Sequence, residues 1–358
     1  MAASPGERRA AALDGAGRLV DFALARPGTP DGIGDVHRGR VGRRVPAMAG
    51  AFVVIDHDVT GFLSDTEGAA GITEGAPITV RVTRAAQGGK GPRLAAVVSE
   101  AAAPARMGLV RRGPDAVLRL AALWPEVPVL VDDPALQARL AVALPGRVQP
   151  GAGFDAELES EIARLGEPEA PLPGGARASI HPTPALVAID IDAGTATGQG
   201  NPPQALNQAA IPEIARQIRL RNLSGAILVD LAGLSVRGRK ALAGDFAVAL
   251  ASDPLAPRFL GFTALGLAEI VRPRVAPPLH ELLSEPLAAG LAALRTVAQE
   301  SRATPGASFV LVAAPAVVTA LHQDPVALDE LARRTGRTLM LSSDPALGHA
   351  GWQVERVR

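Results

Sequence analysis

The chain has 358 residues, 47% hydrophobic and 20% charged, with 36 Lys plus Arg against 36 Asp plus Glu. That length exceeds one ordinary core and the composition is globular, so two or more packed units are expected and disorder is excluded. Zero formal charge excludes whole-molecule steering of a polyanion, and the absence of Cys excludes disulfides, thiolate metal sites and cysteine nucleophiles. No run approaches the roughly 18 apolar residues of a membrane span. The first 25 residues mix acids and arginines without a signal core. A cytoplasmic protein that does not cross a membrane is therefore expected.

From Arg18 to Phe62 short alternating apolar runs, GRLVDFALARPG and VHRGRVGRRVPAMAGAFVVIDHDVTGFL, are separated by Gly, Pro and Asp turns. With APITVRVTRAAQGGKGPRLAAVVS they predict a small antiparallel barrel. PDAVLRLAALW and DDPALQARLAVAL read as amphipathic helices flanking a buried strand, VPVLVD. AGFDAELESEIARL reads as another helix, and the Pro/Gly-rich GEPEAPLPGG as a connection. Over 185–275 strands and helices alternate: ALVAIDID, PQALNQAAIPEIARQIRLRN, GAILVDL, RGRKALAGDFAVALASD, then RFLGFTALGLAEIVR. That is the layering of helices on a mostly buried sheet. PLAAGLAALRTVAQESR, FVLVAA, PAVVTALH, ALDELARRTG and a final TLMLSS predict a small α/β unit over 288–345.

Two acids stand out in ALVAIDIDAGTATG, where Asp190 and Asp192 alternate with Ile189 and Ile191. Strand residues two apart share a face about 7 Å apart, so both acids look one way and repel unless a cation intervenes. Asp190 ends one strand and Asp230 ends the next after a single crossover helix. A right-handed βαβ unit sets such strands side by side, with ligands gathering at their carboxyl ends. Hard oxygen donors so placed suit Mg²⁺; spacing alone equally allows strand-end acids that cap turns. GTATGQG fits neither the dinucleotide fingerprint nor the P-loop. The clusters RGRVGRR (Arg38, Arg40, Arg43, Arg44) and RQIRLR (Arg216, Arg219, Arg221) read either as local positive surfaces or as solvated decoration.

In their order, AIDIDAGTATG, EIARQIRLRNLSGAILVDL and LGLAEIVRPR resemble the bacterial ribonuclease E/G family. HRGRVGRRVPAMAGAFVVIDHDVTGFL and GGKGPRL upstream are similar to its RNA-binding barrel and Gly-x-Lys-Gly turn. The likeness runs from about residue 18 to the C terminus. It implies a mixed α/β chain: residues 1–35 opening an RNase H-like subdomain, 36–100 an OB-type RNA-binding barrel, and 101–184 a shortened sensor region with the rest of the RNase H-like part. Residues 185–278 would be a DNase I-like catalytic core and 279–358 a small α/β domain. It further implies a Mg²⁺-dependent endoribonuclease acting on single-stranded RNA, with Asp190 and Asp230 holding the metal and Asp192 assisting. Phe52 and Phe62 would pack on bases, Lys90 would lie near the scissile phosphate, and Arg112 would mark the remnant of a 5′-monophosphate pocket. From the residues alone, the two Phe can equally be core and Lys90 an exposed turn.

The chain departs from that family in several places. Asp192 stands where the family generally has Asn, and LAGL lacks the second acid two positions after Asp230. Arg112 is followed by Gly113, not Thr. VRPRVAPPLHELLSE has no Cys-Pro-x-Cys, and the lone His280 makes no zinc site, so no zinc is expected and any homodimer uses other contacts. The alternative is a catalytically impaired RNA-binding protein of the same fold. A hydrolase of small phosphoesters leaves the barrel unexplained.

Overall fold

The computed structural model describes residues 1–97, 106–194 and 202–357; the loop GTATGQG beyond Gly194 lies outside them. The first 25 residues supply three antiparallel strands, Ala2–Ser4, Glu7–Leu13 and Leu19–Ala25. The strand-like run beginning at Arg18 thus splits, because Leu19 is drawn into a core with Leu158, Ile162, Leu220 and Leu279 instead of the barrel.

The barrel comprises β1 (Val36–Val45), β2 (Gly50–Asp56), β3 (Val59–Ser64), β4 (Pro77–Arg84) and β5 (Arg93–Ala96). Their period-two pattern turns Val41, Val53, Ile55, Leu63, Val80 and Leu94 inward. The ring closes in the order β1-β2-β3-β5-β4, the strand order of an OB-type barrel. It is antiparallel except between β3 and β5, which run parallel. This corrects the all-antiparallel expectation for a topological reason: an odd number of strands cannot alternate direction all the way round a closed ring.

The second large unit is a six-stranded sheet built from β6 (Glu169–Pro171), β7 (Arg177–Pro182), β8 (Val187–Asp192), β9 (Gly225–Asp230), β10 (Arg258–Phe262) and β11 (Ala268–Arg272). Its order is β6-β7-β8-β9-β11-β10. β8 and β9 run parallel, joined by helix α1 (Pro203–Leu220), while the other neighbours are antiparallel. GEPEAPLPGG, expected as a connection, supplies edge strand β6, so the sheet begins upstream of residue 185. Pro171 is tolerated there because an edge strand has a backbone side that needs no donor.

Helix α1 buries Ile211, Ile214 and Ile218, spaced three and four apart, against Ile189, Ile191, Ile227 and Val229. Burying each such side chain contributes about 1.5–3 kcal/mol. Helices α2 (Val236–Ala241) and α3 (Ala243–Leu250) extend the same layer, where Phe246 stacks on Phe259 at 5.0 Å. The helices cover one face of the sheet. The residues of opposite parity (Ala188, Asp190 and Asp192 on β8; Ala226, Leu228 and Asp230 on β9) are half-buried or exposed. The sheet is therefore buried on one side, not mostly enclosed.

Helix α1 also ties the units together, which corrects the reading of RQIRLR as a positive surface or solvated decoration. Arg216 donates to Leu19 O at 2.6 Å and Glu161 at 2.9 Å, and pairs with Glu213. Arg219 meets Asp21 at 2.7 Å with its guanidinium over the Trp124 ring. Arg221 donates to Gln217 Oε1 and the carbonyls of Arg164, Glu167 and Glu169. These cations hold the N-terminal strands and the 156–169 region onto the sheet unit.

After a short helix, Leu279–Ser284, the C-terminal unit follows: α4 (Pro286–Ala303), β12 (Ser308–Ala313), α5 (Pro315–Gln323), α6 (Pro325–Thr335), β13 (Met340–Ser343) and β14 (Trp352–Val357). β14 pairs antiparallel with β12, so the unit runs past the expected end at 345. No helix of the described residues is long and apolar enough to cross a membrane.

Candidate functional site

Asp190 and Asp230 are register partners on the parallel pair β8 and β9. Adjacent strands lie about 4.8 Å apart, so the two carboxylates leave one edge of the open face side by side. Their neighbours Ile189, Ile191 and Val229 are committed to the core, and this fixes the register and the face on which the acids stand. Glu269 on β11 pairs with Leu228, two residues before Asp230, and so stands on the same face. Ser179 on β7 faces Asp190.

Three residues that sequence reasoning missed shape this cluster. Asn207, fully buried in α1, donates to Ala232 O at 2.8 Å and accepts from Ala232 N at 3.0 Å, pinning the turn that follows Asp230. Arg239 of α2 donates to Gly266 O at 2.8 Å and comes within 3.6 Å of Asp230 Oδ1. Arg177 on β7 reaches Asp192 Oδ2 at 3.3 Å. Among the described residues Asp190 has no such partner. Of these, only Asn207 carried a sequence signal: a polar residue on the apolar stripe of a helix.

Asp192 accepts from the Gly194 N–H at 2.8 Å, and that bond with Arg177 holds its carboxyl below the usual carboxylate range. Its charge is thus compensated locally, and it turns toward Arg177 at the far edge of the pair. Among the described residues no group of three or more Asp, Glu, His or Cys could enclose a metal. Two carboxylates with open surroundings fit the habit of Mg²⁺, which keeps several waters and takes its remaining ligands from substrate phosphates.

The barrel carries the second group. Phe52 and Phe62 are register partners on the outer face of β2 and β3, with ring centroids 5.6 Å apart in an edge-to-face pair. That face is where OB-type barrels bind oligonucleotides. Phe52 is 37% exposed, whereas Phe62 is 7% exposed, covered by Phe52 and by the Arg93 guanidinium 4.9 Å from its ring centroid. Lys90 follows a tight two-residue turn, Gly88 and Gly89, both at positive φ, in the loop between β4 and β5. A Gly-Gly pair adopts that turn without strain. The loop lies against β3, as Phe62 N donates to Pro92 O at 2.9 Å, so exposed Lys90 sits at the rim of the aromatic pair's strand.

Arg112 lies apart from both groups. It donates to buried Asp35 at 2.6 Å, and Gly113 N–H bonds the same carboxylate at 2.7 Å. Of the first basic cluster, Arg38 donates to Thr79 Oγ1, Arg40 to Gly75 O, and Arg44 is paired with Asp65, while Arg40 and Arg43 are the exposed members. A larger apolar cavity of about 840 Å³, lined by Leu13, Leu123, Trp124, Val127 and Leu130, contains none of the clustered acids.

The profile described as the Ribonuclease E/G family matches residues 151–275, the stretch that contains both strand-end acids and helix α1. Ribonuclease E of Synechocystis sp. is 33% identical over 177 residues, covering 44% of this chain and 26% of that protein. Ribonuclease G of Escherichia coli K12 is 29% identical over 216 residues, covering 55% of this chain and 44% of that protein. The chloroplastic Ribonuclease E/G-like protein of Arabidopsis thaliana is 35% identical over 136 residues, covering 36% of this chain and 14% of that protein. The match thus spans less than half the length of each of these relatives. Residues 151–275 are thus similar to the ribonuclease E/G family.

Proposed function

We propose that this chain is an endoribonuclease that cleaves single-stranded RNA with Mg²⁺ held by Asp190 and Asp230. The observation that supports this reading most is their in-register pairing at the carboxyl ends of two central parallel strands, on the open face of the sheet and within the family-matching segment. Bound there, Mg²⁺ supplies Lewis-acid polarisation of a phosphodiester and activation of water. The protein's own residues do the rest. Asn207 and Arg239 fix the turn and charge around Asp230, and Arg177 offsets Asp192 so that its extra negative charge does not repel the strand. Phe52 offers a stacking surface worth about 1–3 kcal/mol per base, and Lys90 a cation for the backbone. On this reading the barrel orients RNA, and the sheet unit is the DNase I-like catalytic part.

The test is incubation of purified protein with an end-labelled single-stranded oligoribonucleotide, with Mg²⁺ or with EDTA. Cleavage is expected with Mg²⁺, and loss of either acid (Asp190→Asn or Asp230→Asn) should slow it about a thousandfold, equivalent to several kcal/mol of transition-state stabilisation. Undiminished cleavage by the double variant would sink the assignment. A second reading, an RNA-binding protein with impaired turnover, draws on Asp192 and its bond to Arg177. The same experiment separates the two: affinity without cleavage supports the second.

A further inference from the structure

Three guanidinium groups converge where the barrel meets the sheet unit. Arg84 ends β4, Arg93 begins β5, and Arg274 lies just after β11, next to Val275, whose carbonyl accepts from Ala85 N at 2.9 Å. With Ser64, Glu67, Thr83 and Leu94 they line a cavity of about 270 Å³. Among the described residues none of the three guanidiniums has an ion pair or hydrogen bond, and the Glu67 carboxylate at the rim lies beyond salt-bridge reach. Arg84 Nε is buried with no partner. Burial first, then Arg93 and Arg274, lowers the pKa of Arg84 from its ordinary value.

This is unusual within the molecule. Arg9, Arg26, Arg216, Arg219 and Arg272 each meet a carboxylate within 3 Å. Positive groups gathered without compensation repel one another unless an anion joins them. Guanidinium forks match phosphate oxygens in particular. The cavity is smaller than the roughly 300 Å³ at which pockets for drug-sized ligands begin, so it suits one small anionic group. Arg93 links it to the aromatic pair, because the same guanidinium covers Phe62.

We infer that Arg84, Arg93 and Arg274 form a pocket for one backbone phosphate of a single strand whose neighbouring base lies on Phe52. The inference rests on the single-stranded RNA reading above and adds a fixed anchor between barrel and sheet. Arg93 and Arg274 are exposed, so Arg93→Gln and Arg274→Gln are expected to fold, as thermal melting will check. The experiment measures affinity for a labelled single-stranded oligoribonucleotide in EDTA across a series of KCl concentrations. Each variant is expected to bind about tenfold more weakly at low salt, irrespective of base sequence. Each should also flatten the log–log salt slope by about 0.7. Arg274→Lys should keep most of the slope, and Arg356→Gln, on exposed β14, should leave it unchanged. Slopes unaltered in both Gln variants, with wild-type binding intact, overturn the pocket while leaving the RNA reading standing. Absence of wild-type RNA binding overturns that reading. In that case, melting protection by pyrophosphate that disappears in Arg274→Gln would assign the pocket to free phosphate and overturn the backbone assignment.

Discussion

Two groups of arginines in this protein behave in opposite ways. Arg216 and Arg219 on helix α1 and Arg221 at its C-terminal cap are close in sequence and look there like a basic patch. Each is consumed by carboxylates and carbonyls from other elements. Arg84, Arg93 and Arg274 are scattered along the chain, converge on one cavity and, among the described residues, have no carboxylate within salt-bridge distance. The difference teaches that surface potential follows local compensation, not local density of basic residues. A chain with equal numbers of acids and bases can still present a positive site, provided the acids are placed elsewhere.

The largest effect that sharpens this contrast is on stability. Glu213 and Arg216 have side chains only 7% and 17% exposed, and Glu213 also meets Arg18. Removing Arg216 takes its cation from two carboxylates at once, Glu213 and Glu161, at a cost of about 3 kcal/mol even with Arg18 and Gln217 still on Glu213. Arg216→Met should therefore lower the unfolding free energy obtained from urea titration by that amount, without altering the salt slope of RNA binding. Arg274→Gln should do the reverse, changing stability by no more than about 0.5 kcal/mol. If Arg216→Met unfolds no earlier but loses RNA, the helix arginines are a binding surface after all and the contrast breaks.

A smaller effect concerns the compensated pair inside the candidate site. Asp192 and Arg177 are both 55% exposed and 3.3 Å apart, so their pairing is worth little to folding but matters for the field at the acids. Arg177→Gln leaves Asp192 uncompensated and should slow single-turnover cleavage about fivefold, roughly 1 kcal/mol. Asp192→Asn should change it less, and the double variant should recover most of the loss. Rates for all four proteins form a cycle whose coupling is the quantity of interest. Additive losses would mean that Arg177 acts on RNA directly.

The same distinction explains what was legible in the sequence. The period-two pattern, with a single crossover helix, was enough to bring Asp190 beside Asp230, because strand register and handedness are local rules. Whether Phe52 and Phe62 are core or surface was not legible from the residues alone; in the structure Phe52 is 37% exposed and Phe62 7%. Partners contributed by distant segments were not legible: Arg177 on Asp192, Arg239 near Asp230, and Asp21 and Glu161 on the helix arginines. Edge strands were the other blind spot. Pro171 made β6 read as a connection, and the polar residues Gln353 and Glu355 hid β14, since an edge strand needs only one apolar face.

The smallest effect is a pH dependence that compensated arginines have and pocket arginines lack. Arg9 holds Glu159 by two hydrogen bonds, 2.7 and 2.8 Å. Burial alone would raise the Glu159 pKa, but the bonds and charge of Arg9 outweigh it and bring it below the ordinary 4.5. A depressed carboxylate stabilises the fold above its unfolded pKa and loses that contribution as pH falls through its folded value. Because the Glu159 side chain is 39% exposed, solvent screening limits the contribution to about 0.5 kcal/mol. Glu159→Gln should therefore be slightly less stable at neutral pH and show a flatter loss of stability below pH 4.5, read from urea midpoints across the acid range. Arg274→Gln should leave that acid limb unchanged, since among the described residues no carboxylate lies within salt-bridge distance of it. A flattened limb in Arg274→Gln would mean that Glu67 already compensates the pocket, and the two groups of arginines would then differ only in degree.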